Sequence, residues 1–159
     1  YVLPMAQNVE AQVREATRDW PVTPILIEAA DKAGKAAAFR AADIALAASG
    51  TVSLELAAND TPMVVAYRMN RLTEQIVRRK LLIDTVTLVN LVSETRVVPE
   101  FLGADCIPQK IAAALAHVLN TGNDQRAALD LTMERLGRGQ EAPGLRAARA
   151  VLEGIGLAE

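Results

Sequence analysis

Ser49, Gly50 and Thr51 stand together in this sequence, and Glu55 follows four residues after the threonine. The run Ile44 to Ala48 before them reads as a buried strand and Val52 to Ala58 after them as a helix, so the small residues form the turn between. In open α/β sheets, ligands bind in the crevice outside the carboxyl ends of the strands. Backbone N–H groups at a helix start, aided by the helix dipole, favour anionic groups such as phosphate. Gly50 lets a ligand approach the backbone, and Ser49 and Thr51 add hydroxyl donors. Glu55 shares a helical face with Thr51, where a carboxylate can accept hydrogen bonds from ribose hydroxyls while the turn holds a diphosphate. A purely local role fits as well, with Ser49 and Thr51 capping the helix and Glu55 complementing its dipole. The capping-box spacing is not met, because Leu54 stands three residues after Thr51. Spacing alone leaves both readings open.

Two further polar residues sit at apolar runs. Arg68 follows the run Met63 to Tyr67, where it would meet a phosphate or a carboxylate such as Glu55. Asn90 interrupts Val86 to Val92, at the carboxyl end of what reads as a strand, and can orient a loop or a ligand. Glu100, directly after Pro99, is favoured at a helical turn by position alone. Arg71, Arg78, Arg79 and Lys80 put a basic face on a helix over 71–82, a surface suited to anionic lipid headgroups or simply to solvent.

The elements that must position these residues follow from the apolar pattern. Val2 to Pro4 reads as the end of a strand, and Asn8 caps a helix carrying Val9, Val13, Ala16 and Trp20. Ile25 to Ile27 is short and continuously apolar, as in a strand buried on both faces. Lys35 to Ala42 is helical, Ile44 to Ala48 a buried run, and Asn59 to Pro62 a turn. Met63 to Tyr67 and Val86 to Val89 complete the predicted strands, and Val98 to Leu102 reads as one helical turn. Strands alternating with helices imply βαβ units, hence a parallel sheet with right-handed crossovers. Beyond residue 105 the pattern turns helical: one helix starts at Pro108 and has Gly122 just past its end, and two more follow over about Asp124 to Leu136 and Gly144 to Leu152. These helices either cover the sheet or reach for a partner.

Composition sets the bounds. The 159 residues carry 17 basic and 19 acidic side chains, a net charge of −2, with 51% hydrophobic and 3% aromatic residues. That suits one soluble α/β domain over 1–159, with a helical extension from about 107, folding without metal or disulfide. The near-neutral charge argues against general nucleic-acid binding. His117 and Cys106, the single histidine and cysteine, cannot supply a usual zinc site or an internal disulfide. No run approaches the roughly 18 apolar residues of a membrane span, and no signal-peptide pattern opens the chain. The abrupt start at Tyr1 suggests a fragment.

Four ordered blocks carry a resemblance: Ser49-Gly-Thr-Val-Ser-Leu-Glu55, Pro62-Met-Val-Val-Ala-Tyr-Arg-Met69, Leu88-Val-Asn-Leu-Val92 and Val98-Pro-Glu-Phe-Leu102, continued by Cys106 to Leu115. In that order and spacing the chain resembles the C-terminal half of the bacterial lipid-A-disaccharide synthases, most strongly over 43–115. The resemblance implies a GT-B glycosyltransferase, of which this chain holds most of the Rossmann-like donor domain, without its first strand or the acceptor domain. Such enzymes move 2,3-diacylglucosamine from UDP to 2,3-diacylglucosamine 1-phosphate, with inversion, giving a β-1,6 disaccharide. Ser49, Gly50 and Thr51 would lie at the diphosphate, Glu55 at the ribose, and Arg68 and Asn90 near the donor. No cofactor is implied beyond the donor substrate, UDP-2,3-diacylglucosamine. The partners implied are the UDP-sugar, the lipid acceptor and a second copy meeting the terminal helices, in the cytoplasm at the inner membrane. Departures are the missing Gly-Ser-Arg loop after the first strand and Gly103, where many relatives carry glutamine. The fragment alone is expected to bind UDP weakly and to catalyse nothing. Competing readings are a UDP-sugar epimerase of the same architecture and a stand-alone nucleotide-binding or dimerisation module.

Overall fold

The computed structural model describes residues 1–68 and 84–156. Strand β1 (Val2–Pro4) leads through a 3-10 turn into helix α1 (Glu10–Thr17), followed by β2 (Ile25–Ile27), α2 (Lys32–Ala41), β3 (Ala45–Ala47), α3 (Val52–Ala58) and β4 (Met63–Tyr67). After residue 83 come α4 (Leu88–Ser93), β5 (Glu100–Leu102), a 3-10 turn, α5 (Pro108–Thr121), α6 (Asn123–Arg135) and α7 (Pro143–Gly154). All strand pairing among the described residues is parallel. β1 pairs with β2, Val2 opposite Ile25, and β3-β4-β5 form a second sheet with Ala45 opposite Met63 and Val65 opposite Glu100. This is the expected α/β class, parallel sheets flanked by helices. The predicted helix over 71–82, with its basic face, lies outside the described residues.

Local chemistry sets the helix ends. Asp31 accepts from the Gly34 N–H at 2.7 Å and so starts α2 three residues earlier than periodicity suggested. Asn8 does not cap α1; it lies in the 3-10 turn, and Val9 precedes the helix without a side-chain cap. Helix α1 stops at Thr17, leaving Trp20 outside it and half exposed.

The core gathers Phe39 from α2, Ala47 from β3, Leu56 and Ala57 from α3, Met63 and Val65 from β4, Val89 from α4, Val98, and Leu129 from α6. Helix α6 earns its place through Gln125, Ala128, Leu129 and Thr132, one face at helical spacing and entirely buried. Gln125 continues the β4 ladder where β5 has not yet begun. Its Oε1 accepts from the Met63 N–H at 2.9 Å and its Nε2 donates to the Met63 carbonyl at 3.0 Å.

Two short apolar runs take the opposite form to that expected. Val86 to Val89 is not a strand: residues 85–87 join no ladder among the described residues, Thr87 is extended, and α4 starts at Leu88. The N–H groups that would enter a ladder at Val86 and Thr87 are captured by the Glu100 carboxylate. Conversely, Glu100 to Leu102 is strand β5, not a helical turn. Pro99 disfavours helical geometry at Val98, and the Pro99 carbonyl accepts from the Val65 N–H at 2.9 Å, seeding the pairing with β4. Nor are the strands at Ile25 and Ile44 to Ala48 buried on both faces. β2 and β3 are edge strands, and Ile25 and Leu46 are exposed while Ala47 reaches the core.

Candidate functional site

Beyond the carboxyl end of β3 the chain turns at Ser49-Gly50-Thr51 into α3. Gly50 has φ +135°, in the region side chains rarely adopt, and a Cβ there would meet nothing within 4 Å. Its glycine is therefore required by backbone conformation and leaves the space over the turn open. Neither hydroxyl of the turn caps α3: Thr51 makes no side-chain cap bond, and Ser49 Oγ donates to the Val86 carbonyl at 3.1 Å. Ser53 does the local work, donating to the Gly50 carbonyl at 2.8 Å. Among the described residues, the N–H groups of Gly50 and Thr51 have no acceptor. Two unclaimed donors on a glycine turn at a sheet's carboxyl edge can hold an anionic oxygen.

Glu55, one turn into α3, pairs with Lys35 of α2 at 2.6 Å, both side chains partly exposed. Lys35 also lies 5.4 Å from the centroid of the Phe39 ring. Ala29, Lys32, Lys35, Phe39, Glu55 and Asn59 line a cleft of about 380 Å³ between α2 and α3. Glu55 thus borders a space with cations at hand, not a helix face turned only to solvent. Arg68 follows β4 and is exposed, without an ion pair among the described residues; the partner of Glu55 is Lys35, not Arg68.

The residue that sequence reasoning assigned to a helical turn proves central. Glu100 starts β5, and its carboxylate accepts from the Thr85 hydroxyl, from Val86 N–H at 3.1 Å, Thr87 N–H at 2.9 Å and Asn90 Nδ2 at 3.1 Å. Burial raises its pKa, but these donors outweigh burial and hold it below the usual carboxylate value. Asn90 lies within α4, not at a strand end, and is 1% exposed. Its amide brackets the Val98 backbone, donating to the carbonyl at 2.9 Å and accepting from the N–H at 3.0 Å. Asn90 and Glu100 together brace the 85–87 segment, and that segment receives Ser49. The partners of Glu100 lie 10 to 15 residues away in sequence, so no local pattern could have exposed the cluster.

With this geometry in place, the comparisons decide the family. A family model described as lipid-A-disaccharide synthetase matches residues 5–152. The chain belongs to the lipid-A-disaccharide synthetase family. It is 58% identical over 158 residues to the lipid-A-disaccharide synthase of Ruegeria pomeroyi, covering 96% of this chain and 39% of the relative. The enzyme of the same name from Bradyrhizobium diazoefficiens is 44% identical, over 95% of the chain and 39% of the relative. That from Granulibacter bethesdensis is 45% identical over 77% of the chain and 31% of the relative. The chain therefore spans about two fifths of the length of the synthases it matches. All six candidate residues of the turn, α3, β4 and α4 fall within the stretch matched by the synthetase family. Among the described residues no helix is long and apolar enough to cross a membrane, and no group of three or more His, Cys, Asp or Glu could hold a metal.

Proposed function

We propose that these residues are the donor-binding part of an inverting glycosyltransferase that moves 2,3-diacylglucosamine from UDP to 2,3-diacylglucosamine 1-phosphate. The observation that carries this reading is the Ser49-Gly50-Thr51 turn: two N–H donors without an acceptor among the described residues, at the carboxyl edge of a parallel sheet, with Glu55 one helical turn on, in a chain of the lipid-A-disaccharide synthetase family. The N–H groups of Gly50 and Thr51 and the Thr51 hydroxyl take the diphosphate, and Arg68 supplies positive charge from the end of β4. Donors fixed before the reaction stabilise the charge that grows on the departing diphosphate as the sugar bond breaks, and they need no reorganisation to do so. Ribose hydroxyls donate to Glu55, which exchanges part of its pairing with Lys35 for them. Ser49 shapes the turn through Val86, and Asn90 acts from behind it. The acceptor and the base that takes its proton belong to the rest of the full-length enzyme, which works at the cytoplasmic face of the inner membrane.

Thermal unfolding of the full-length protein with and without UDP tests the reading. At about 100 times the dissociation constant UDP should add about 2.7 kcal/mol, and Glu55→Ala should remove most of the shift. A folded protein whose midpoint ignores UDP would overturn it.

A further inference from the structure

We infer that Glu100 is a positioning residue for the donor-phosphate turn, acting through the Val86–Thr87 peptide group on Ser49. The inference rests on the donor reading of the turn and adds a residue that touches neither substrate. One peptide group joins the two ends. Its N–H, that of Thr87, donates to Glu100 Oε1 at 2.9 Å, and its C=O, that of Val86, accepts from Ser49 Oγ at 3.1 Å. The preceding N–H, that of Val86, donates to the other oxygen, Oε2, at 3.1 Å. The carboxylate therefore fixes the plane of the 86–87 peptide from one side while Ser49 reads it from the other.

Charge makes the link directional. An N–H that donates to an ionised carboxylate forms a stronger bond than one donating to a neutral oxygen, and it polarises the same peptide so that its carbonyl becomes a better acceptor. A negative Glu100 thus strengthens the acceptor that Ser49 uses. Ser49 in turn sets the approach to Gly50, whose φ of +135° keeps its N–H and that of Thr51 turned away from any acceptor among the described residues. Asn90 secures the base of the lever, donating to Glu100 while holding the Val98 backbone just ahead of β5. Arg96 feels the Glu100 charge, but its guanidinium is hydrogen-bonded to Asp84.

Calorimetric titration of the full-length protein with UDP and with uridine, for wild type, Ser49→Ala, Glu100→Gln and the double variant, tests the lever. Each single change should weaken UDP about tenfold and leave uridine within about twofold, because uridine has no diphosphate for the turn to hold. If Glu100 acts through Ser49, the double variant also loses about tenfold; independent effects would multiply to about a hundredfold and overturn the inference. An equal loss of uridine affinity would overturn it too, by showing general damage. Either single variant without effect on UDP refutes the lever alone, whereas a wild type that binds UDP no more tightly than uridine refutes the donor reading of the turn and the lever with it. Should Glu100→Gln fail to fold, Thr85→Val takes its place, removing one donor to the carboxylate while keeping its charge. The expected result is then UDP weakened about threefold with uridine unchanged, and an unchanged UDP affinity overturns the lever.

Discussion

Four donors converge on the partly buried carboxylate of Glu100, and that arrangement gives the protein an acid sensitivity of a particular sign. Folding lowers the pKa of Glu100 from its ordinary 4.5, since the hydrogen bonds to Thr85, Val86 and Thr87 outweigh the cost of burial. The stabilisation is complete above that ordinary value and is lost as the pH falls through the lower folded value, where the folded protein at last takes up the proton. Asp84, hydrogen-bonded by Arg96, is also held below its ordinary value, so a variant is needed to isolate Glu100. Denaturant unfolding from about pH 7 down to about pH 3 should show Glu100→Gln less stable than wild type at the upper end and the gap narrowing towards the lower. A gap that stays constant with pH would mean that the charge contributes nothing. In the sequence this residue looks like a carboxylate placed by a local dipole. Its real partners are one threonine hydroxyl, two backbone N–H groups and an amide brought in from across a loop, and nothing at positions 99 to 103 announces them.

Among the elements, the joint between α5 and α6 shows how little slack the packing leaves. Gly122 has an ordinary helical φ of −56°, so alanine suits its backbone. A Cβ there would nonetheless stand 2.9 Å from Pro62 Cγ and 3.0 Å from the Val118 carbonyl oxygen, and neither the ring nor the backbone yields easily. Gly122→Ala should cost about 1–3 kcal/mol, measured by urea unfolding; an unchanged midpoint would show that the turn before β4 gives way freely. Sequence patterning placed this glycine just past α5 for its end-of-helix propensity, and the structure gives a tertiary reason instead. The same contrast runs through the chain. Elements with long periodic stripes, α5 and α6, or with a small-residue turn between apolar runs, β3 to α3 to β4, are legible because local preference and burial agree. Val86 to Val89 and Glu100 to Leu102 are not, since segments this short suit helix and strand equally and the choice is made by Glu100 and Pro99 through contacts distant in sequence. For the candidate site this means that the place of the Ser49 to Thr51 turn between β3 and α3 could be read directly, whereas the Lys35 partner of Glu55 and the support behind Asn90 could not.

At the scale of the whole molecule, α7 stands apart from the other terminal helices. α5 buries Val118 and α6 buries a complete face, yet α7 buries no residue. Leu145, Val151, Leu152 and Ile155 are 60%, 62%, 42% and 62% exposed, and with Ala148 they fall at the i, i+3, i+4 and i+7 spacing of one stripe. Arg146, on the same helix, donates to the Leu136 carbonyl at 2.7 Å, fixing where that stripe points. An amphipathic helix anchored at one edge with its apolar face open is stable when another surface covers it, and exposed apolar stripes of this kind mark association sites. The second copy that the sequence resemblance leads one to expect at the terminal helices would find its seat on this stripe. Light scattering of the full-length protein should then give twice the chain mass, and Leu152→Asp combined with Val151→Asp should bring it to the single-chain mass. Both side chains are exposed here and far from the Ser49 turn in sequence, so the UDP-dependent rise in melting temperature should survive the two substitutions. A variant that keeps the dimer mass would assign the stripe to the remaining three fifths of the enzyme's own chain. Loss of the UDP response along with the dimer would instead show that the donor site is complete only in the assembled pair.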